Sequence, residues 1–174
     1  LHTVKLQDVP FGKFRDKGVP IDNISNYDSQ KEYAITVESQ TSLNLYRILF
    51  VTAQAMMKIV DGGEFDVAKR TVAATKLQDN DEVISVEIIR EQKQVILQSA
   101  EGYFLRFGLE EVPEKKKSAV GVRGMKLSDK DHVEAVYYTL AAMPDPDIVY
   151  KDKHVELQRI KPQHRDSKGT KLRL

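Results

Sequence analysis

The sequence predicts an all-β fold of four-stranded blades in tandem, set side by side round an axis. Two observations carry that prediction. The chain resembles itself at a spacing of about fifty residues: SAVGVRGMKLSDKDHVEAV (118–136) aligns with TVAATKLQDNDEVISV (71–86). The match pairs Val72 with Val122, Lys76 with Lys126, Leu77 with Leu127, Asp81 with Asp131, Val83 with Val133 and Val86 with Val136. The repeating segments are also rich in β-branched and aromatic residues, punctuated by Gly, Pro, Asp and Asn, and poor in helical periodicity. One such unit cannot bury both of its faces, so neighbouring units must stack.

Each unit shows the same landmarks in the same order. A basic residue between apolar ones comes first, in strand-like settings: Val4-Lys5-Leu6, Met57-Lys58-Ile59, Leu105-Arg106-Phe107 and Gln158-Arg159-Ile160. Alternation with apolar neighbours places Lys5, Lys58, Arg106 and Arg159 on the exposed faces of half-buried strands. A basic loop follows: GKFRDKG (12–18), VAKRTVAATK (67–76), PEKKKSAVGVRGMK (113–126) and KPQHRDSKGTK (161–171). A strand is then entered at Ile24, Leu77, Leu127 and Leu172, three times through Lys-Leu. Hairpins are expected at LFVT/MMKIV (49–60), VILQS/YFLRF (95–107) and IVY/HVELQRI (148–160). SLNLYRI (42–48) has a helical look but runs directly into strand residues, and reads as part of a strand region. The expected units are a partial blade at 1–40, blades at 41–90 and 91–140, and a partial or closing blade at 141–174. With no initiating Met and a start inside a unit, the chain reads as part of a longer protein.

Totals narrow the chemistry. The 174 residues carry a net charge of +1, so a nucleic-acid site has to come from local clusters of Lys and Arg. The absence of Cys excludes disulfides, thiolate metal sites and a cysteine nucleophile. The four His are scattered, and no Walker loop, G-x-S-x-G or G-x-G-x-x-G occurs. Asp79-Asn80-Asp81 and Asp129-Lys130-Asp131 lack the Gly and Glu of a calcium loop and read as hairpin turns. Phe104, Phe107, Tyr137 and Tyr138 alternate like core residues, and Pro144-Asp145-Pro146-Asp147 reads as a connection between blades. Gly121 and Gly124 fit either a phosphate approached by backbone or a tight bend between blades.

The basic loops are the candidate site. They hold Lys13, Arg15 and Lys17; Lys69, Arg70 and Lys76; Lys115, Lys116, Lys117, Arg123 and Lys126; and Lys161, Arg165, Lys168 and Lys171, with Arg159 beside the last. Solvated charge explains any one such loop, but four at equivalent places in a repeat form a positive track along one edge. The balancing acids are expected at other turns, at Asp79, Asp81, Asp129, Asp131, Asp145 and Asp147.

QSAEGYFLRFGLEEVPEKKKSAVGVRGMKL (98–127) resembles a blade of the C-terminal domain of bacterial type IIA topoisomerase A subunits, the gyrase and topoisomerase IV family. VPFGKFRDKGVPIDNI (9–24) is similar to the end of a preceding blade, through its Gly-x-Pro-Ile-x-Asn stretch, and FVTAQAMMKIV with TVAATKLQDNDEVISV to the blade between. The resemblance implies a β-pinwheel whose blades exchange strand elements and whose basic rim binds and bends duplex DNA. It implies a non-catalytic module with no cofactor of its own, the parent enzyme using ATP and magnesium elsewhere. Implied partners are duplex DNA, the ATPase B subunit, and the rest of the A subunit; the implied setting is the cytoplasm and nucleoid, away from membranes. Gln163–Gly169 agrees with the gyrase box Gln-Arg-Arg-Gly-Gly-Lys-Gly at four of seven positions but departs at His164, Asp166 and Ser167, and reads as a fourth basic loop. A propeller-type protein-interaction scaffold is the alternative.

Overall fold

The computed structural model describes residues 1–172; the last two residues of the expected 141–174 unit lie outside the described residues. In chain order the strands are β1 (Arg47–Thr52), β2 (Met56–Asp61), β3 (Val83–Ile89), β4 (Gln92–Ser99), β5 (Tyr103–Gly108), β6 (Val122–Arg123), β7 (Val133–Leu140), β8 (Asp147–Tyr150), β9 (Lys153–Glu156) and β10 (Thr170–Lys171). They form two four-stranded sheets, ordered β3-β1-β2-β6 and β10-β5-β4-β7, and a hairpin of β8 with β9.

The hairpins are apolar on both faces, as blades packed between neighbours require. Along β1, Leu49 and Val51 face the second sheet, while Ile48 and Phe50 face the other way, onto Phe65 and Val60. Along β4, Val95 and Leu97 meet Met57 and Ile59 of the first sheet, and Ile96 joins Phe104, Val155 and Leu157 beneath β8 and β9. The two longer hairpins turn alike. Thr52 Oγ1 accepts from Met56 N and Ser99 Oγ from Tyr103 N, with Ala55 and Gly102 both at positive φ. The short hairpin turns through Lys151 and Asp152, both left-handed, which matches strand twist in a two-residue loop.

The outer strands explain how the blades are joined. β3 and β7 return antiparallel to β1 and β4 of their own hairpins. The fourth strand of each sheet comes from the unit that follows: β6 pairs with β2 through Met57↔Val122, and β10 with β5 through Phe104↔Thr170. Gly121, at φ 110, precedes β6 because a side chain there would run into the Met57 carbonyl. Gly124 lies against Met57 and Leu97, so these two glycines serve close packing between blades.

Several expectations change. No strand forms over Val4–Leu6; the N-terminal residues make a single bridge, His2↔Thr71, and a 3-10 turn at Leu6–Asp8. No strand is entered at Ile24, which ends a second 3-10 turn, or at Leu77 and Leu127. The strands start at Val83 and Val133, because Asp81 Oδ1 first accepts from Gln54 N and Asp131 Oδ1 from Glu101 N, clamping the hairpin turns. SLNLYRI contains a true short helix, α1 (Gln40–Leu45), capped by Ser39 Oγ accepting from Ser42 N. The third Lys-Leu is out of register: Lys171 opposes Tyr103 as Arg123 opposes Met56, so Lys171 matches Arg123 and not Lys126.

The basic-residue landmark also mixes two faces. Met57 and Phe104 hold equivalent pairings, so Lys58 corresponds to Leu105, and Ile59 to Arg106. Lys58 is buried, with 0 % exposure, because three carbonyls receive its ammonium. Arg106 is mostly covered by an ion pair with Asp145 at 2.6 Å, the two side chains 14 % and 10 % exposed. Lys5 and Arg159 are exposed but lie at 3-10 turns, not on strands.

Candidate nucleic-acid interface

Each hairpin ends in a 3-10 turn that leads into a basic loop, and the carboxylate of that turn takes a cation from the next unit's loop. At Leu6–Asp8 the carboxylate of Asp8 meets Arg70 at 3.2 Å. At Gly62–Phe65 the Glu64 carboxylate accepts from Lys117 N, and Lys117 Nζ donates to Glu64 O at 2.6 Å. At Leu109–Glu111 the pattern repeats: Glu111 Oε2 accepts from Arg165 N, and Arg165 Nε donates to Glu111 O, both at 2.9 Å. These three staples join consecutive loops at their roots. Loops 113–126 and 161–171 also touch along their length, through Lys126 N to Ser167 O and Asp166 N to Gly124 O.

The staples sort the expected contacts. Arg70, Lys117 and Arg165 are partly committed to carboxylates or carbonyls of the protein itself. Arg123 chelates Asp166, with Nε 2.5 Å from Oδ1, and the Arg123 carbonyl accepts from Arg165. Lys116 is 82 % exposed and reaches Glu64 only at 3.3 Å. Lys13, Arg15, Lys17, Lys69, Lys76, Lys115, Lys126, Lys161, Lys168 and Lys171 are exposed at the surface. Lys168 and Lys171 both lie over the Tyr103 ring, 4.6 and 5.1 Å from its centroid, which steadies two long side chains while leaving their charge outside.

The acids of the loops depart from the sequence expectation. Asp8, Glu64, Glu111 and Asp166 sit among the cations, so the balancing charge is not confined to the hairpin turns. A signal for them exists in the sequence: Glu64 and Glu111 each follow a hairpin at the same offset and stand six residues before a basic residue, Arg70 and Lys117. The Lys117 amide, then Lys116 and Lys117 charge, hold the Glu64 carboxyl below the usual range; Arg123 does the same for Asp166. Between the two sheets an open groove of about 1100 Å³ is lined by Gln54, Asp81, Arg123, Lys126, Asp131 and His132. Among the described residues no helix is long and apolar enough to cross a membrane, and no group of three His, Asp or Glu is placed to hold a metal ion.

Comparison with known proteins agrees with this geometry. The family model "DNA gyrase C-terminal domain, beta-propeller" matches residues 46–90 and 93–139. The DNA gyrase A subunit of Lawsonia intracellularis is 30 % identical over 137 residues, covering 78 % of this chain and 17 % of the relative. The chain thus spans about a sixth of the length of that curated relative. A crystal structure of the C-terminal domain of DNA topoisomerase IV aligns over 95 % of the chain and 53 % of its own, with TM-score 0.78 at 23 % identity. The C-terminal domain of DNA gyrase A aligns over 90 % and 53 %, with TM-score 0.66 at 23 % identity. With two repeats matched and the strand exchange present, the chain belongs to the family of DNA gyrase C-terminal domains, of β-pinwheel fold.

Proposed function

We propose that this chain is a DNA-binding and DNA-bending module of a type IIA topoisomerase A subunit, taking duplex along the edge formed by its basic loops. The observation that carries the reading is the run of staples Asp8–Arg70, Glu64–Lys117 and Glu111–Arg165, which links successive basic loops at their roots. Exposed lysines then follow one another along that edge, and phosphates can be neutralised without any base being read. Duplex that follows a curved edge incurs an elastic cost of about 1–6 kcal/mol over ~20–30 base pairs, which many weak phosphate contacts offset. In this reading strand cleavage, ATP and magnesium belong to the B subunit, or to the rest of the A subunit, and the module works on the nucleoid in the cytoplasm.

The test is the affinity for a duplex of about 40 base pairs across a salt series, where log K should fall by roughly 0.9 per phosphate neutralised for each unit of log salt. Replacing Lys115, Lys116, Lys126 and Lys168 by Gln should flatten the slope by about 3. Absence of binding at low salt would overturn the reading. One observation favours a protein-interaction scaffold instead: Phe11 and Phe14 of the first basic loop are fully exposed beside Lys13. A DNA affinity that Phe11→Ser and Phe14→Ser leave unchanged would set that second reading aside for DNA capture.

A further inference from the structure

Lys58 is the one fully buried lysine among the described residues, and nothing above gives it a task. Its Nζ lies 3.1 Å from Lys116 O, 2.7 Å from Lys117 O and 2.6 Å from Ala119 O. Three acceptors round one nitrogen call for three N–H donors, which the ammonium has and a neutral amine lacks. The charge also lies 5.8 Å from the Phe50 ring, and Lys117 Nζ lies 5.9 Å from the Phe65 ring, with the two rings 6.1 Å apart. Enclosing a charge is costly unless it is fully hydrogen-bonded, so an apolar residue would be the simpler occupant. The equivalent place in the second sheet is indeed Leu105, buried to 0 % exposure. There, the following loop is held from its own side, by Arg165 reaching the Arg123 and Glu111 carbonyls.

The geometry points to Lys58 as a positioning residue of the nucleic-acid interface: its buried ammonium gathers the inward carbonyls of the Lys116–Ala119 turn and so fixes how Lys115 and Lys116 are presented outward. This rests on the DNA-binding reading above. It gives Lys58 no contact with DNA; it acts through the turn. Burial opposes its charge, and Glu64, the carboxylate facing it from the neighbouring 3-10 turn, supports that charge.

The experiment compares the whole chain with Lys58→Met, a substitution of similar length without charge. Thermal unfolding checks that the fold is kept. The variant should bind a duplex of about 40 base pairs roughly five- to tenfold more weakly at moderate salt, with a slope shallower by about 1–2. Hydrogen exchange at the amides of Ser118 to Val120 should quicken in the variant without DNA. The same substitution is then made in a Lys115→Gln, Lys116→Gln background, where it should have no further effect on affinity. Unchanged affinity in Lys58→Met, or an equal loss in the doubly neutralised background, would overturn the inference while leaving DNA binding in place. If the parent itself does not bind duplex, the functional reading falls and the role of Lys58 with it. Should Lys58→Met not fold, Lys58→Gln, which still donates to two carbonyls, should give an intermediate loss; full parental affinity in that variant with a quickened turn would equally overturn it.

Discussion

The junction of β2 with β6 and the junction of β5 with β10 share one backbone design and differ in where the charge is placed. At both, a two-residue strand from the following unit pairs with the hairpin, a single parallel bridge continues the contact, and a 3-10 turn carboxylate receives a cation. At the first, the hairpin supplies a buried ammonium on its inner face, Lys58, and Ile59 on the other. At the second, Leu105 fills the inner face, and Arg106 on the other takes Asp145, Gln94 Oε1 and Leu157 O. The contrast teaches that the repeat keeps the hydrogen-bonding positions of the backbone, while each junction solves its own electrostatics. A cation is tolerated inside wherever carbonyls or a carboxylate converge on it.

The sharpest way to break this comparison is at the buried ion pair. Asp145→Ala leaves Arg106 enclosed without its carboxylate and should cost about 3 kcal/mol in urea unfolding. If the cost is near zero, the second junction is not held by charge. Next, Gly121→Ala, which forces a side chain against the Met57 carbonyl at φ 110, should destabilise by about 2–3 kcal/mol. Gly169→Ala meets the Phe104 carbonyl at φ 83 and should cost a similar amount; a much smaller loss would show that the two junctions are not equivalent. Thr52→Val and Ser99→Ala each remove one turn hydrogen bond, and both should lose about 1 kcal/mol by the same measurement.

The smallest effect is that of acid. Glu64 and Asp166 both have carboxyls depressed below their ordinary values of 4.5 and 3.8. Their contribution is therefore complete above the ordinary values and is lost only as pH falls through the lower, folded ones. The amide resonance of Lys117 should keep its position down to pH values where a solvated glutamate is already protonated. A shift that follows an ordinary carboxylate would show the first staple to be loose.

What is legible in the sequence is set by local pattern. VILQS and YFLRF announce their hairpin because apolar runs and the Ala100-Glu101-Gly102 turn are contiguous. The repeat itself is visible because Asp81 and Asp131 perform one task at one offset, each holding a hairpin turn. The donated strands are not, since Val122–Arg123 and Thr170–Lys171 are too short to carry a period. α1 reads as strand because its six residues lie directly against β1, although Ser39 and Ser42 form an ordinary cap. Lys58 is the hardest: its burial depends on acceptors 58 to 61 residues further along the chain. The basic loops are legible as charge, but the sequence does not show which of their cations are turned inward to acids.

The strand borrowed by each sheet also has a consequence in time. β2 ends at Asp61, yet its neighbour β6 begins at Val122. At synthesis rates of about 5–20 residues per second, the first sheet waits roughly 3–12 seconds for the strand that covers its edge. During that interval a nascent chain presents an open β edge to whatever is nearby, including the chains emerging from neighbouring ribosomes on the same message.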